Sequence, residues 1–395
     1  MAAQQEPEQE HADSYPHSQH LEALDRLCSK FYMMLCNRGV LYLQAAKMVS
    51  SWIRPDTRRC HYGAPLRAFG GDKQTKTQWR RTKVRSTLGA GHHSHTNSDN
   101  CQKCPDNEYP DENKTNCIPK TYDFLSYEND IMTLVFSLIS LFFSLIIVFI
   151  LGTFIIFWET PIVRANNRNL SFILLVSLML SFLCVFLFLG RPVDITCKLR
   201  QTSFGIIFSA SVSSVLGKTI MVYMAFKATK PGSMWVGVKV SNTIVLICTS
   251  IQILINVLWL CISPPFQELD MHYYPGRIII QCNEGSVIAF YSVLGYMGVL
   301  AAVSFIIAYL ARTLPDSFNE AKYITFSMLL FCSVWIAMIP AYLSTKGKDM
   351  VSVEIFAIFT SSAGLLGCIF FPKIYIMLIK PEMNTKRHLL DKIKS

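Results

Sequence analysis

The chain has 395 residues, of which 51% are hydrophobic and only 16% are charged, with a formal net charge of +10. A mean hydropathy of +0.31 and 26 phenylalanines are too apolar for a soluble enzyme of this length, so the composition indicates a membrane protein. The apolar residues collect into long runs after residue 130, whereas the residues before it are polar and rich in His, Pro and Gln. We therefore expect two unlike parts.

Residues 1–100 are predicted to be an atypical, poorly ordered leader. They begin MAAQQEPEQE, without the basic start and apolar core of a secretory signal. Ten Lys and Arg lie between Arg54 and Arg85, a density found in nucleic-acid-binding segments and in solvated basic ones. Few aromatic residues are interleaved and no nucleic-acid motif is present, so we expect no nucleic-acid partner.

Residues 101–130 are predicted to be the remnant of an extracellular cysteine-rich module. The segment contains three cysteines, Cys101, Cys104 and Cys117. An odd number leaves at least one thiol without a partner in the segment, unless Cys60 or another upstream cysteine serves. A zinc site with His95 as the fourth ligand is the alternative, but the second paired motif is missing, so we expect no metal. Asn113 begins a glycosylation sequon, which applies only if this segment reaches the secretory lumen.

Seven apolar runs follow. A bilayer core about 30 Å thick is crossed by about 20 apolar residues in a helix, and each run has that length. The sequence therefore predicts an all-α membrane protein, a seven-transmembrane helix bundle over residues 131–379, followed by a basic tail at 380–395. The predicted spans lie at about 131–157, 170–189, 200–226, 240–261, 286–311, 324–343 and 351–379.

The distribution of Lys and Arg predicts the orientation, because positively charged loops stay in the cytoplasm. The connections after spans one, three and five, together with the tail, carry twelve Lys and Arg, against four in the three connections of the other side. Residues 121–130 contain three acidic residues and no basic one. We therefore expect the N-terminal part outside and the C-terminus in the cytoplasm.

Two cysteines lie on the predicted outer side. Cys197 opens span three and Cys282 lies in the connection before span five. A disulfide between them would persist in that oxidising environment and would join the longest outer loop to the bundle. The alternative is a pair of free thiols that act as small hydrophobic residues, as single cysteines within spans usually do.

Charged residues within spans are candidates for function because burying a charge in lipid is costly. Lys218 lies 21 residues after Cys197, so it is about 30 Å further along span three, near its cytoplasmic end. Glu320 begins span six at a similar depth, and we predict that the two residues form an ion pair, an activation latch between spans three and six. The alternative for Lys218 is a side chain that extends to the lipid headgroups.

Other classes of function lack their usual residues. No Asp, Glu or Arg lies within the cores of the seven apolar runs, which disfavours an ion-coupled transporter. No His-Glu-x-x-His, Gly-x-Ser-x-Gly or phosphate-binding loop occurs. We therefore expect neither enzymatic activity nor a cofactor.

Several stretches resemble the class C G protein-coupled receptors, the metabotropic glutamate receptor group. FNEAKYITFSM is similar to the start of span six in that family, and GKTI places Lys218 on the lysine of span three, with Glu320 on its acidic partner. CSVWIAMIP and FFPKIY resemble motifs of spans six and seven that here contain Trp335, Pro340, Phe370, Pro372, Lys373 and Tyr375. Within the class, TPIVRANNRNLSF, CNEGSV and ATKPGS look most like vomeronasal type-2 receptors, which are pheromone receptors.

The resemblance implies a plasma-membrane receptor that acts on a heterotrimeric G protein and forms homo- or hetero-dimers with related receptors. It makes Phe318, Asn319 and Arg164 the candidate G protein contacts. It also implies that Trp335 lies at the floor of a pocket in the bundle, the alternative being a packed aromatic residue.

The resemblance does not extend to residues 1–100. Family members carry a large bilobed ligand-binding domain and a nine-cysteine module, led by a signal peptide, and neither is similar to this segment. We therefore expect a receptor that lacks the ligand-binding domain. The alternative function is that of a truncated, non-sensing membrane protein that associates with full-length receptors.

Overall fold

The computed structural model describes residues 79–82, 100–111, 116–128, 130–165, 167–227, 233–274, 276–312 and 320–379. Within these ranges, seven helices are long and apolar enough to cross a membrane. They are α1 Ile131–Ile156, α2 Arg168–Cys184, α3 Asp194–Lys227, α4 Ser233–Ile262, α5 Val287–Ala311, α6 Glu320–Ser344 and α7 Lys348–Leu378. The predicted all-α, seven-transmembrane fold is therefore confirmed.

The helices form because lipid offers the backbone no hydrogen-bond partners. The N–H and C=O groups of an apolar run must therefore hydrogen-bond to each other within the run. A short helix, Pro161–Ala165, connects α1 to α2, and a 3-10 turn, Val185–Leu187, extends α2. Two prolines lie inside helices, Pro340 in α6 and Pro372 in α7. Each removes one backbone hydrogen bond from its helix.

Five helices begin earlier in the structure than in the prediction. They are α2 at Arg168, α3 at Asp194, α4 at Ser233, α6 at Glu320 and α7 at Lys348, against predicted starts at 170, 200, 240, 324 and 351. A helix continues through polar residues as long as its backbone bonds are satisfied, so hydropathy alone underestimates its length. As a result, several charged residues lie on helices close to the packed interior.

α3 and α7 form the centre of the bundle. Most of their membrane-spanning residues are buried, whereas only about a fifth of those of α1 and α4 are. The core contains large aromatic side chains from four helices, namely Phe182, Phe208, Phe331 and Phe370, all fully buried. The exposed faces of α1 and α4 are apolar, as expected of surfaces in contact with lipid.

Among the described residues, seven short strands precede or connect the helices. β1 Trp79–Thr82 pairs with β2 Asn100–Lys103, and β3 Glu108–Pro110 pairs with β4 Cys117–Pro119. The third sheet contains β5 Thr121–Asp123, β6 Phe266–Asp270 and β7 Arg277–Asn283. Its central strand β7 runs parallel to β5 and antiparallel to β6.

The three-stranded sheet marks one end of the bundle, which we call the sheet end. There a disulfide joins Cys197 at the start of α3 to Cys282 in β7. A second disulfide joins Cys104 to Cys117 in the segment before α1. The other residues of the predicted cysteine module and zinc alternative, Cys60 and His95, lie outside the described residues.

Candidate functional site

Four side chains meet at the end of the bundle opposite the sheet end. This ion cluster consists of Ser171 of α2, Lys218 of α3, Glu320 of α6 and Lys373 of α7, and all four are buried. The Lys373 ammonium donates to Glu320 Oε1 at 2.7 Å. Lys218 Nζ lies 3.9 Å from the same oxygen and donates to Ser171 Oγ at 2.8 Å. The Glu320 carboxylate therefore connects α3, α6 and α7, and Lys218 extends the connection to α2.

The structure brings the two predicted latch residues together and adds a closer partner. Sequence analysis placed Lys373 only in the motif of span seven, yet its ammonium is nearer to Glu320 than that of Lys218 is. A sequence signal was available, because Lys373 lies five residues before the end of α7, about 8 Å from it. That depth matches the first turn of α6, where Glu320 lies.

The position of Glu320 suits its charge. It is the first residue of α6, and the N-terminus of a helix carries a partial positive charge that stabilises a carboxylate. The two ammonium groups add to this field in a region of low dielectric, where charge interactions are stronger than in water. Removing the carboxylate would leave two buried like charges close together.

A cavity of about 340 Å³ is lined by residues of α3, α5, α6 and α7, and it opens between α5 and α6, where Tyr291 and Ile336 are more than half exposed. Trp335 of α6 forms part of its wall, and its ring packs against other rings of the wall and core. The ring centroids of Phe204, Phe208 and Phe331 lie 5.3, 5.6 and 6.1 Å from that of Trp335. The cavity is lined mainly by apolar and aromatic side chains, as small-molecule sites usually are.

Polar groups line the part of this cavity nearer the sheet end. They include Gln201 of α3, Tyr342 of α6 and Glu354 of α7. Arg200 Nη2 lies 3.6 Å from Glu354 Oε2, and these side chains are only 4% and 10% exposed. Sequence analysis missed this ion pair because both residues lie at the very start of their predicted spans, outside the apolar cores that were searched for charges.

At the sheet end, the segment before α1 is attached to the loop before α5 and to α7. Thr121 and Asp123 of β5 pair with Arg277 and Ile279 of β7. Lys348, the first residue of α7, lies 3.7 Å from an Asp123 carboxylate oxygen and 3.2 Å from an Asp130 one. These contacts give the incoming chain a direct physical connection to the helices.

The other residues singled out in the sequence take different positions. Phe370 is fully buried with its ring centroid 5.8 Å from that of Phe154, Pro372 is buried, and Tyr375 is half-buried. Pro340 is exposed on the outer face of α6.

Arg164 is exposed at the ion-cluster end, where its guanidinium lies 3.2 Å from the Glu159 carboxylate. Phe318, Asn319 and Asn113 lie outside the described residues.

Comparison with protein families gives one match over residues 126–373, to a family described as "7 transmembrane sweet-taste receptor of 3 GCPR". Among curated proteins, vomeronasal type-2 receptor 26 of Mus musculus is 56% identical over 296 residues, which cover 74% of this chain and 34% of that receptor. Vomeronasal type-2 receptor 116 of the same species is 50% identical over 293 residues, 73% of this chain and 34% of that receptor. The extracellular calcium-sensing receptor of Homo sapiens is 45% identical over 307 residues, 72% of this chain and 28% of that receptor. The chain thus spans about a third of the length of these relatives.

Proposed function

Because the chain belongs to the class C G protein-coupled receptors, a family of multi-pass plasma-membrane receptors and not of enzymes, we propose that it transmits a signal across the membrane to a heterotrimeric G protein. The similarity to two vomeronasal type-2 receptors supports an input of the pheromone class. Related receptors are the proposed dimer partners.

The observation that carries this proposal is the ion cluster. Glu320 links α6 to α3 and α7 through two buried lysines, so α6 moves away from the other helices only when these contacts break. A two-state element of this kind is what a signalling bundle needs, since an input can act only by favouring one of two arrangements. We propose that the closed cluster is the inactive arrangement.

The proposed orientation places the ion cluster at the cytoplasmic face. The described helix ends from which the basic connections and the tail continue lie at that end, which favours the cytoplasm. Phe318 and Asn319 directly precede Glu320 in the chain, and Arg164 is exposed at the same end. These three residues are the proposed G protein contacts.

The sheet end is the proposed site of input. The pairing of β5 with β7 and the contacts of Lys348 connect the N-terminal segment to the start of α7. The disulfide between Cys197 and Cys282 extends the connection to α3. A displacement of the N-terminal segment is thereby transmitted to the two central helices, which also carry the two lysines of the ion cluster.

The test is guanine-nucleotide exchange on purified G proteins, measured without ligand in membranes that contain Glu320→Ala. We expect basal exchange to rise at least about fivefold over that of the unsubstituted chain. A fivefold change corresponds to the low end of typical allosteric coupling energies. Glu128→Ala is the control, because Glu128 is an exposed acid before α1, away from the ion cluster and from the proposed G protein contacts.

Unchanged exchange in a Glu320→Ala protein that is folded and present at the cell surface would rule out the latch. Absence of exchange from every variant, together with co-precipitation with a full-length vomeronasal type-2 receptor, would instead favour the non-sensing associate.

A further inference from the structure

We propose that Gln252 and Asn256 of α4 bind ordered water in the middle of the membrane, where α3, α4 and α5 meet. Both side chains are buried, with 0% and 1% of their surface exposed, although only about a fifth of the membrane-spanning residues of α4 are buried. Gln252 lies ten residues before the end of α4, about 15 Å from it, which is half of a bilayer core about 30 Å thick. Neither residue lines the cavity that opens between α5 and α6.

Helix α4 packs on the bundle along one stripe of its surface. Residues on one face of a helix recur at spacings of three, four and seven, and the buried residues of α4 follow this pattern. They are Gly237, Ser241, Val245, Gln252, Asn256 and Trp259, and none of them is charged. Lipid provides no force that pushes apolar helices together, so membrane helices associate through close packing and polar contacts. The attachment of α4 therefore depends on the carboxamides of this stripe.

Gly205 of α3 allows the two carboxamides to approach α3 closely. A Cβ atom added to Gly205 would lie 3.0 Å from Gln252 Nε2, 3.2 Å from Asn256 Nδ2 and 3.0 Å from Cγ1 of Val293 in α5. Ser209 lies one turn further along the same face of α3 and is fully buried. Polar atoms of α3 and α4 therefore lie close together at a point where three helices meet.

Most of these polar atoms have no hydrogen-bond partner among the described residues. They are Gln252 Nε2, Gln252 Oε1, Asn256 Oδ1 and Ser209 Oγ. Asn256 Nδ2, in contrast, donates to the backbone carbonyl of Gln252 at 2.9 Å, which holds the Asn256 side chain in place. An unpaired polar group is costly at this depth, because lipid cannot replace the hydrogen bonds of water. These atoms therefore require a ligand that both donates and accepts hydrogen bonds.

Water fits both kinds of atom at once. Gln252 Nε2 needs an acceptor, whereas Gln252 Oε1 and Asn256 Oδ1 need donors. A water molecule donates two hydrogen bonds and accepts two, and a buried one typically makes about three. A cation would bind only the oxygens and an anion only the nitrogen, and either would bring a charge into a stripe that contains no charged partner. Water that bridges α3 and α4 in this way holds the two helices together without a direct hydrogen bond between them.

The experiment is X-ray radiolytic footprinting of the full chain in phosphatidylcholine nanodiscs. Radiolysis converts bound water into hydroxyl radicals that oxidise neighbouring side chains, and mass spectrometry locates the oxidised residues. Val293 and Trp259 are buried next to the proposed site, whereas Phe182 is a fully buried ring of the core. After correction for intrinsic reactivity, we expect oxidation of Val293 and Trp259 to exceed that of Phe182 at least about fivefold. This comparison needs no substitution, so it does not depend on the folding of a variant.

Two variants test whether the carboxamides hold the water. Gln252→Leu combined with Asn256→Leu should lower the oxidation of Val293 and Trp259 at least about fivefold. Asn242→Leu is the matched control and should leave it unchanged, because Asn242 is a carboxamide of α4 outside the stripe and accepts a hydrogen bond from Asn167. Gln252→Leu alone should lower the midpoint of thermal unfolding by about 2–4 °C, because it leaves the other partners of the water unpaired.

Four results would overturn the proposal. Oxidation of Val293 and Trp259 no higher than that of Phe182 would show that no water is bound there. Oxidation that persists in the double variant would place the water elsewhere. An unfolding midpoint that Gln252→Leu leaves unchanged or raises would show that this carboxamide is not bridged, since leucine replaces an unpaired carboxamide without loss. An unfolding midpoint that falls when sodium chloride is replaced by N-methylglucamine chloride would identify a bound cation instead of water.

Discussion

At the scale of single residues, Glu320 affects the stability of the ion cluster differently from either lysine. One carboxylate faces two ammonium groups, at 2.7 Å from Lys373 and 3.9 Å from Lys218. Removing one lysine leaves a matched pair, whereas removing the carboxylate leaves two buried cations that repel each other. Leaving a buried charge without a partner costs more than a buried ion pair contributes. Loss of Glu320 is therefore more destabilising than loss of either lysine.

We therefore predict that Glu320→Gln lowers the free energy of unfolding by about 3–5 kcal/mol, and that Lys218→Met lowers it by less. The double variant Glu320→Gln with Lys218→Met should recover part of the loss, because it removes one of the two repelling charges. Denaturant unfolding of the purified chain in mild detergent measures all three. Glu159→Gln, an exposed acid, should change stability by no more than about 0.5 kcal/mol. Equal losses for Glu320→Gln and Lys218→Met would contradict this account of the charges.

At the scale of elements, α6 and α7 pack closely because of a glycine. A Cβ atom added to Gly364 of α7 would lie 2.5 Å from Cδ2 of Leu330 in α6, far inside normal contact distance. Small residues allow membrane helices to approach closely, and lipid itself provides no force that pushes apolar helices together. The contact matters for function because α6 carries Glu320 and α7 carries Lys373.

We predict that Gly364→Val lowers the free energy of unfolding by about 1–3 kcal/mol through overpacking. Leu330→Ala in the same chain should restore part of it, because the shortened side chain makes room for the added methyl groups. The same unfolding assay applies, with Gly152→Val of α1 as the control, since a side chain there meets nothing within 4 Å. If Leu330→Ala makes Gly364→Val less stable, the contact between these two residues is not the cause.

At the scale of the whole molecule, the two ends of the bundle differ in chemistry. The sheet end holds a disulfide and the strands that receive the N-terminal segment, whereas the basic connections lie at the ion-cluster end. If the seven spans found in the described residues are the only ones, the two termini lie on opposite sides of the membrane. The distribution of positive charge then predicts which terminus is cytoplasmic.

We predict that an epitope tag before Met1 binds antibody on intact cells, and that a tag after Ser395 binds antibody only after the cells are permeabilised. The control is a cytosolic protein stained in parallel, which shows that intact cells exclude the antibody. Both tags on the same face would contradict seven crossings. Exchanged faces would keep the crossings and contradict the orientation.

The sequence by itself determined the number of helices and two contacts between distant residues. Apolar runs of about 20 residues form helices in lipid, because a helix pairs its backbone hydrogen-bonding groups within the segment and unpaired groups are costly there. The predicted orientation placed Cys197 and Cys282 on the same side, and counting residues along span three placed Lys218 near the level of Glu320. The depth of a residue along a helix axis can be calculated from the sequence, because the rise per residue is constant.

Only the tertiary structure decided which helix faces meet. These spans are apolar on nearly all sides, so the hydrophobic pattern does not fix the rotation of each helix, as it does for an amphipathic helix in water. Rotation and crossing angle come from side-chain packing between helices, which depends on many residues far apart in the chain. For this reason the closer approach of Lys373 to Glu320 and the pair of Arg200 and Glu354 became visible only when the packed helices were in place.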